Sequence, residues 1–129
     1  MAVVDLAAIY GRYIECLNQQ DWANLGEFVR DDAVHNGRPL GLSGYQAMLE
    51  EDFRTIPDLR FLVDLLVCQP PHVAARLWFE CTPAGRFLGL DAAGRRLSFA
   101  ENVFYRFRDG RIAEVWSVVD KAAIEAQIR

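Results

Sequence analysis

Asp109-Gly110 is followed by an apolar, β-branched run, Arg111-Ile112-Ala113-Glu114-Val115-Trp116-Ser117-Val118-Val119, which ends on the carboxylate of Asp120. An Asp-Gly pair is one of the strongest short hairpin signals, because Gly accepts positive φ without steric cost. The stretch therefore predicts the last strand of an antiparallel sheet, paired back onto the long apolar segment before it. Counting by two puts Ile112, Glu114, Trp116, Val118 and Asp120 on one face and Arg111, Ala113, Val115, Ser117 and Val119 on the other. With the first face inward, Asp120 is an acid at the end of a buried wall, where desolvation raises a carboxyl pKa towards the working pH. Asp is also a favoured N-cap, and Lys121-Ala122-Ala123-Ile124-Glu125-Ala126-Gln127-Ile128 is a good helix former. On residue chemistry alone the cap is the commoner arrangement.

The rest of the chain supplies the other layer. Residues from about 3 to 18 carry a helical stripe of Val3, Leu6, Ile9 or Tyr10, Tyr13 and Leu17. Asp21 reads as the N-cap of a short second helix with Trp22, Leu25, Phe28 and Val29, closed by Arg30-Asp31-Asp32. Ala33–Gly37 is a brief extended piece entering a turn. Ser43-Gly44-Tyr45-Gln46 has the spacing of a capping box and opens a third helix through Met48, Leu49 and Phe53, which ends at Ile56-Pro57. From Leu59 the period becomes extended. Strands are predicted over Arg60–Cys68, Val73–Thr82 and Arg95–Arg108, with a short extended piece at Arg86–Leu90. About the Gln69–His72 turn, Cys68 falls opposite position 73 and Cys81 near position 60, so the two do not bridge. The expectation is one α+β domain over residues 1–129: about three N-terminal helices on a curved antiparallel sheet, then a short C-terminal helix.

Composition narrows the function. The net charge of −4 argues against a nucleic-acid partner. No apolar run approaches the roughly 20 residues that span a bilayer, and Met1-Ala2-Val3-Val4-Asp5 lacks the basic start of a signal peptide. Three cysteines, an odd number without C-x-x-C spacing, suit a reducing compartment, so a cytoplasmic location is expected. Phosphate-loop, dinucleotide-fingerprint, H-E-x-x-H and G-x-S-x-G motifs are missing, and His35 and His72 are not at ligand spacing. No zinc site is therefore expected. His35 lies near where the second helix gives way to loop, a junction that often borders a pocket and where neutral imidazole suits positioning work. Glu101 and Asn102 interrupt an apolar strand on opposite faces, so one of them is expected to face a cavity or interface. The aromatics, Tyr13, Phe53, Trp78 and Trp116 among them, read as core residues; a cavity lined by some would take a flat, apolar ligand.

Several segments together resemble one family. Phe53-Arg54-Thr55-Ile56-Pro57-Asp58-Leu59-Arg60-Phe61 is similar to a segment of the SnoaL-like polyketide cyclases. So are Gly85–Leu90 followed by Gly94-Arg95-Arg96, and Tyr105–Glu114 with Trp116 and Asp120; Val34-His35-Asn36 matches an early motif. They occur in the family's order over nearly the whole chain. The resemblance implies the cone-shaped α+β fold of the nuclear-transport-factor-2-like superfamily, with a deep apolar pocket. It implies an intramolecular aldol condensation closing a polyketide ring without metal or cofactor. It places the pocket acid/base at Asp120 and moves that role ahead of the cap. His35, Asn102 or the Trp116 indole N–H would donate to the enolate oxygen, and Trp116 and Tyr13 would hold the substrate folded, with Phe53, Trp78 and Glu101 as further contacts. Pro83 stands where many relatives carry His.

Two other readings stay open on the same scaffold: a non-catalytic binding module for a small hydrophobic ligand, and an epoxide hydrolase. The expected partners are a small apolar or aromatic molecule and a second copy of the chain, paired through the outer sheet face that Ala113, Val115 and Val119 would form.

Overall fold

A computed structural model describes residues 5–128; Val3 of the predicted helical stripe and the N-terminal leader reading lie outside them. Helix α1, Leu6–Asn18, starts where the Asp5 carboxylate accepts from Ala8 N–H at 3.1 Å. Its stripe of Leu6, Tyr10, Tyr13, Ile14 and Leu17 is buried, as the helical period requires. The second helix is one 3-10 segment, Trp22–Glu27, and the Asp21 side chain makes no capping bond to it. Asp21 instead accepts from the Asn24 side-chain amide at 2.8 Å. The chain then enters strand β1, Val29–His35, so Arg30-Asp31-Asp32 is strand where a helix end was expected. Helix α2, Gly41–Thr55, begins two residues before Ser43, with no side-chain cap. Gly41 makes that entry at φ +66°, and a Cβ there would stand 2.9 Å from Asp31 O. The predicted capping box is therefore inside the helix.

Strands β2 (Leu62–Gln69) and β3 (His72–Cys81) form the expected hairpin, with Cys68 opposite Val73. Cys16, Cys68 and Cys81 are free thiols. A two-residue hairpin, β4 (Arg86–Phe87) with β5 (Leu90–Asp91), precedes β6 (Leu97–Arg108) and β7 (Arg111–Val119). The main sheet runs β1-β7-β6-β3-β2. It is mixed rather than wholly antiparallel, because edge strand β1 runs parallel to β7. A parallel pair needs a long crossover between its strands, and here the rest of the chain from α2 to β6 provides it. Helix α3, Lys121–Ile128, returns to β6, where the Gln127 side-chain amide donates to Ser98 O at 2.7 Å and its carbonyl accepts from Ser98 N–H at 2.9 Å.

One irregularity decides which side of β7 faces the core. Glu114 pairs with Arg106 and Ile112 with Phe107, so Ala113 is an extra residue. This bulge buries both Ile112 and Ala113, and beyond it the alternation is inverted. Val115, Ser117 and Val119 then face the helices, while Trp116 and Val118 point outward at 41% and 69% exposure. A strict period of two places Trp116 and Val118 inward and makes Ala113, Val115 and Val119 the outer face. The bulge reverses that arrangement.

Candidate active site

Helices α1 and α2, strand β1 and the inner faces of β3, β6 and β7 enclose a cavity of about 430 Å³. Its wall is mostly aromatic and aliphatic, including Leu77, Phe79, Phe99 and Val103. Three buried tyrosines, Tyr13, Tyr45 and Tyr105, line the cavity, and Tyr10 packs against Tyr13 and Tyr105. The Tyr13 and Tyr45 hydroxyls stand 2.6 Å apart, and those of Tyr10 and Tyr105 stand 3.0 Å apart. Burial raises the pKa of each, so all four are neutral phenols at physiological pH.

Two carboxyl groups line the same cavity. Glu101, on the inner face of β6, accepts a hydrogen bond from Ser117 Oγ on β7. Burial raises the Glu101 pKa, and the Ser117 hydroxyl partly opposes that rise. Asp52 stands on α2 with one side open to water. Desolvation, then the negative charge of Glu101, push its pKa up to about 7; water reaching it from the mouth screens part of this effect. His35, half-buried at the end of β1, completes the polar set. Its pKa is lowered, first by burial and then by Arg38, which favours the neutral imidazole.

Of the residues singled out from sequence, Tyr13, His35 and Glu101 meet in this cavity, and five do not line it. Asp120 is exposed, and its Oδ1 accepts from Ala123 N–H at 3.1 Å, which makes it the N-cap of α3. Trp116 lies on the outer face, opposite Phe104. Asn102 lies there too, across from Arg76 and Val118. Trp78 is also on that side, beneath the Arg76 guanidinium at 5.5 Å. Phe53 packs in the core against Trp22 and Phe61, with ring centroids 5.9 and 6.2 Å away.

Sequence reasoning passed over Asp52, Tyr45, Ser117 and Asn36, all of which line the cavity. For α2 a signal existed. Tyr45, Leu49, Asp52 and Ile56 are spaced i, i+4, i+7 and i+11, so Asp52 interrupts an apolar stripe as Glu101 interrupts an apolar strand. Ser117 carried no signal, because its inward direction depends on the bulge. Among the described residues no three His, Cys, Asp or Glu side chains cluster in a way that could hold a metal ion. Among them, too, no helix is long and apolar enough to cross a membrane.

The fold has close counterparts. A SnoaL-like polyketide cyclase from Agrobacterium tumefaciens superposes with a TM-score of 0.97 at 50% identity, covering 98% of this chain and 100% of that one. IdmH from Streptomyces antibioticus gives 0.83 at 25% identity, covering 97% and 99%. TsrD from Streptomyces laurentii gives 0.84 at 24% identity, covering 98% of both chains, which speaks for the fold alone. No curated protein matches the sequence. Residues 7–128 match the family described as SnoaL-like polyketide cyclase, and the chain belongs to that family.

Proposed function

We propose that the protein is an acid/base enzyme that closes a ring in an apolar, polyketide-like carbonyl compound by aldol-type addition, with Glu101 moving the proton and no cofactor required. The observation that carries the reading is a carboxyl group of raised pKa inside an apolar cavity. A base whose pKa is lifted towards neutrality is suited to abstract a proton α to a carbonyl and return it later. The Agrobacterium tumefaciens relative, described as a cyclase, supports the reaction class.

The steps follow from the groups present. The Glu101 carboxylate takes the α-proton. The enolate oxygen accepts from the Tyr13–Tyr45 hydroxyl pair or from the His35 imidazole N–H. The enolate carbon attacks a second carbonyl of the same molecule, one carbon–carbon bond forms, and the resulting alkoxide takes the proton back from Glu101, which regenerates the carboxylate. The apolar wall holds a flat chain folded with its two carbonyls close, which supplies the proximity term. The acid moves from Asp120 to Glu101 in this reading because the Asp120 carboxylate is engaged by the α3 backbone.

The test is Glu101→Gln against a panel of polycyclic and aromatic diketones. Turnover is expected to fall on the order of 10²–10⁴-fold, with ligand binding, read by quenching of intrinsic fluorescence, retained. Undiminished turnover in the variant removes Glu101 from the chemistry. Tight binding of the panel with no turnover by the wild-type chain favours a hydrophobic-ligand binding module.

The outer sheet face supports a second copy of the chain as partner. Val67, Ala74, Phe104 and Trp116 form one cross-strand row over four strands, and Phe104 is 57% exposed. The Arg76–Asp64 and Arg106–Glu114 pairs on the neighbouring positions put both signs of charge at its margins, which is compatible with a face that meets itself about a two-fold axis.

A further inference from the structure

Strand β1 makes its last pair with β7 at His35 and Val115. Beyond that point a single residue takes over its bonding. Asn36 N–H donates to Val115 O at 2.8 Å. The Asn36 side-chain carbonyl accepts from Ser117 N–H at 2.8 Å, and its amide nitrogen donates to Ser117 O at 3.1 Å. The side-chain amide thus imitates the peptide unit that a longer β1 would have offered. Asn36 can do this because it and Gly37 turn the chain at φ +47° and +78°, closing a tight hairpin in which His35 and Arg38 exchange backbone bonds of 2.9 Å.

Ser117 is the residue whose hydroxyl holds Glu101. The two are diagonal rather than direct partners, since Glu101 pairs with Val119 and Ser117 with Val103. A diagonal reach depends on where β7 sits along β6, and Asn36 grips β7 at the residue concerned. We propose that Asn36 is a positioning residue: by holding the Ser117 backbone it sets the hydroxyl that orients the Glu101 carboxylate in the cavity. Its catalytic meaning rests on the role given to Glu101 above, but the linkage can be read without any substrate.

Other titratable groups feel the Glu101 charge and stay in place in the test. Tyr10 and Tyr13 approach from α1, Tyr45 and Asp52 from α2, and Tyr105 from β6. His35 of β1 and Lys121 of α3 line the same cavity.

The experiment follows the Glu101 side-chain carboxyl carbon by NMR across pH in the wild type, Ser117→Ala, Asn36→Gly and the double variant. Glycine adopts the left-handed φ at no cost, so Asn36→Gly removes the side-chain bonds without adding strain. Ser117→Ala should raise the Glu101 midpoint, because it removes a hydrogen bond to the charged form. Asn36→Gly should raise it in the same direction, and the double variant should move it no further than Ser117→Ala alone. Asn36→Ser, which keeps one hydrogen-bonding oxygen, should fall between wild type and Asn36→Gly. An Asn36→Gly protein that melts earlier while Glu101 titrates as in the wild type overturns the proposal and leaves Asn36 a structural residue. A shifted midpoint with Glu101→Gln still fully active keeps the linkage and removes Glu101 from catalysis. An unmoved midpoint with Glu101→Gln inactive does the reverse.

Discussion

The hydroxyl of Tyr13 on α1 stands 2.6 Å from that of Tyr45 on α2, and both side chains are 2% exposed. The contact ties the two long helices together at the wall of the cavity and leaves a polar edge in an otherwise apolar surface. A buried hydroxyl that loses its partner bears the desolvation cost alone, whereas losing both partners together is nearly neutral. Tyr45→Phe should therefore destabilise the fold by about 1–3 kcal/mol, and Tyr13→Phe added to it should recover much of that loss. Urea unfolding of the two single variants and the double variant measures the coupling. Additive losses would mean the hydroxyls do not depend on one another.

Asp120 separates two roles that one carboxylate was expected to combine. As the N-cap of α3 it is replaceable by Asn, which caps about as well, so Asp120→Asn should leave both stability and turnover close to wild type. Asp120→Ala should cost about 1 kcal/mol in a denaturant titration. If Asp120→Asn abolishes turnover on the ketone panel, the acid lies at Asp120 and the assignment to Glu101 falls.

Asp52 gives the fold a signature against pH. Its folded pKa, about 7, is raised from an ordinary 3.8, so the folded chain binds the proton more tightly than the unfolded chain does. The native state then holds more protons between these values, and stability declines as pH rises through that window. The contribution is fully present below about pH 4 and gone above about pH 7. Asp52→Asn should flatten this part of the stability–pH curve, measured by thermal melts from pH 4 to 8. An unchanged slope would place the proton elsewhere, on Glu101 first.

Trp116 and Phe104 carry the association prediction. Trp116→Glu puts a charge in the middle of the apolar row, at a position that packs on nothing within the chain's own core. Sedimentation velocity should show a dimer for the wild-type chain and a monomer for the variant, with the melting temperature of the monomer little changed. A monomeric wild type ends the proposal.

Much of the architecture was legible because it rests on local chemistry. The buried stripe of α1, the β2–β3 hairpin with Cys68 against Val73 and the Asp-Gly turn into β7 all follow from neighbours within a few residues. The same holds for Glu101, a charged residue in an apolar strand, which stood out by contrast. Residues 30–32 did not, since a polar edge strand pairing in parallel with a partner some eighty residues away has little local pattern of its own.

The site itself was decided by tertiary structure, at one residue. Alternation along β7 placed Trp116 and Asp120 with the core, and the segment contains no glycine or proline to announce a break. The extra residue at Ala113 arises from how β7 registers against β6 and β1 at once, a relation among three strands far apart in sequence. A two-residue period inverts completely with a one-residue slip. The bulge therefore turned Trp116 and Val118 to solvent and delivered Ser117 to Glu101. The sequence by itself determined β2, β3, β6 and β7 and their apolar content; which face of β7 met the cavity, and so which acid stood inside it, was settled only when the strands packed.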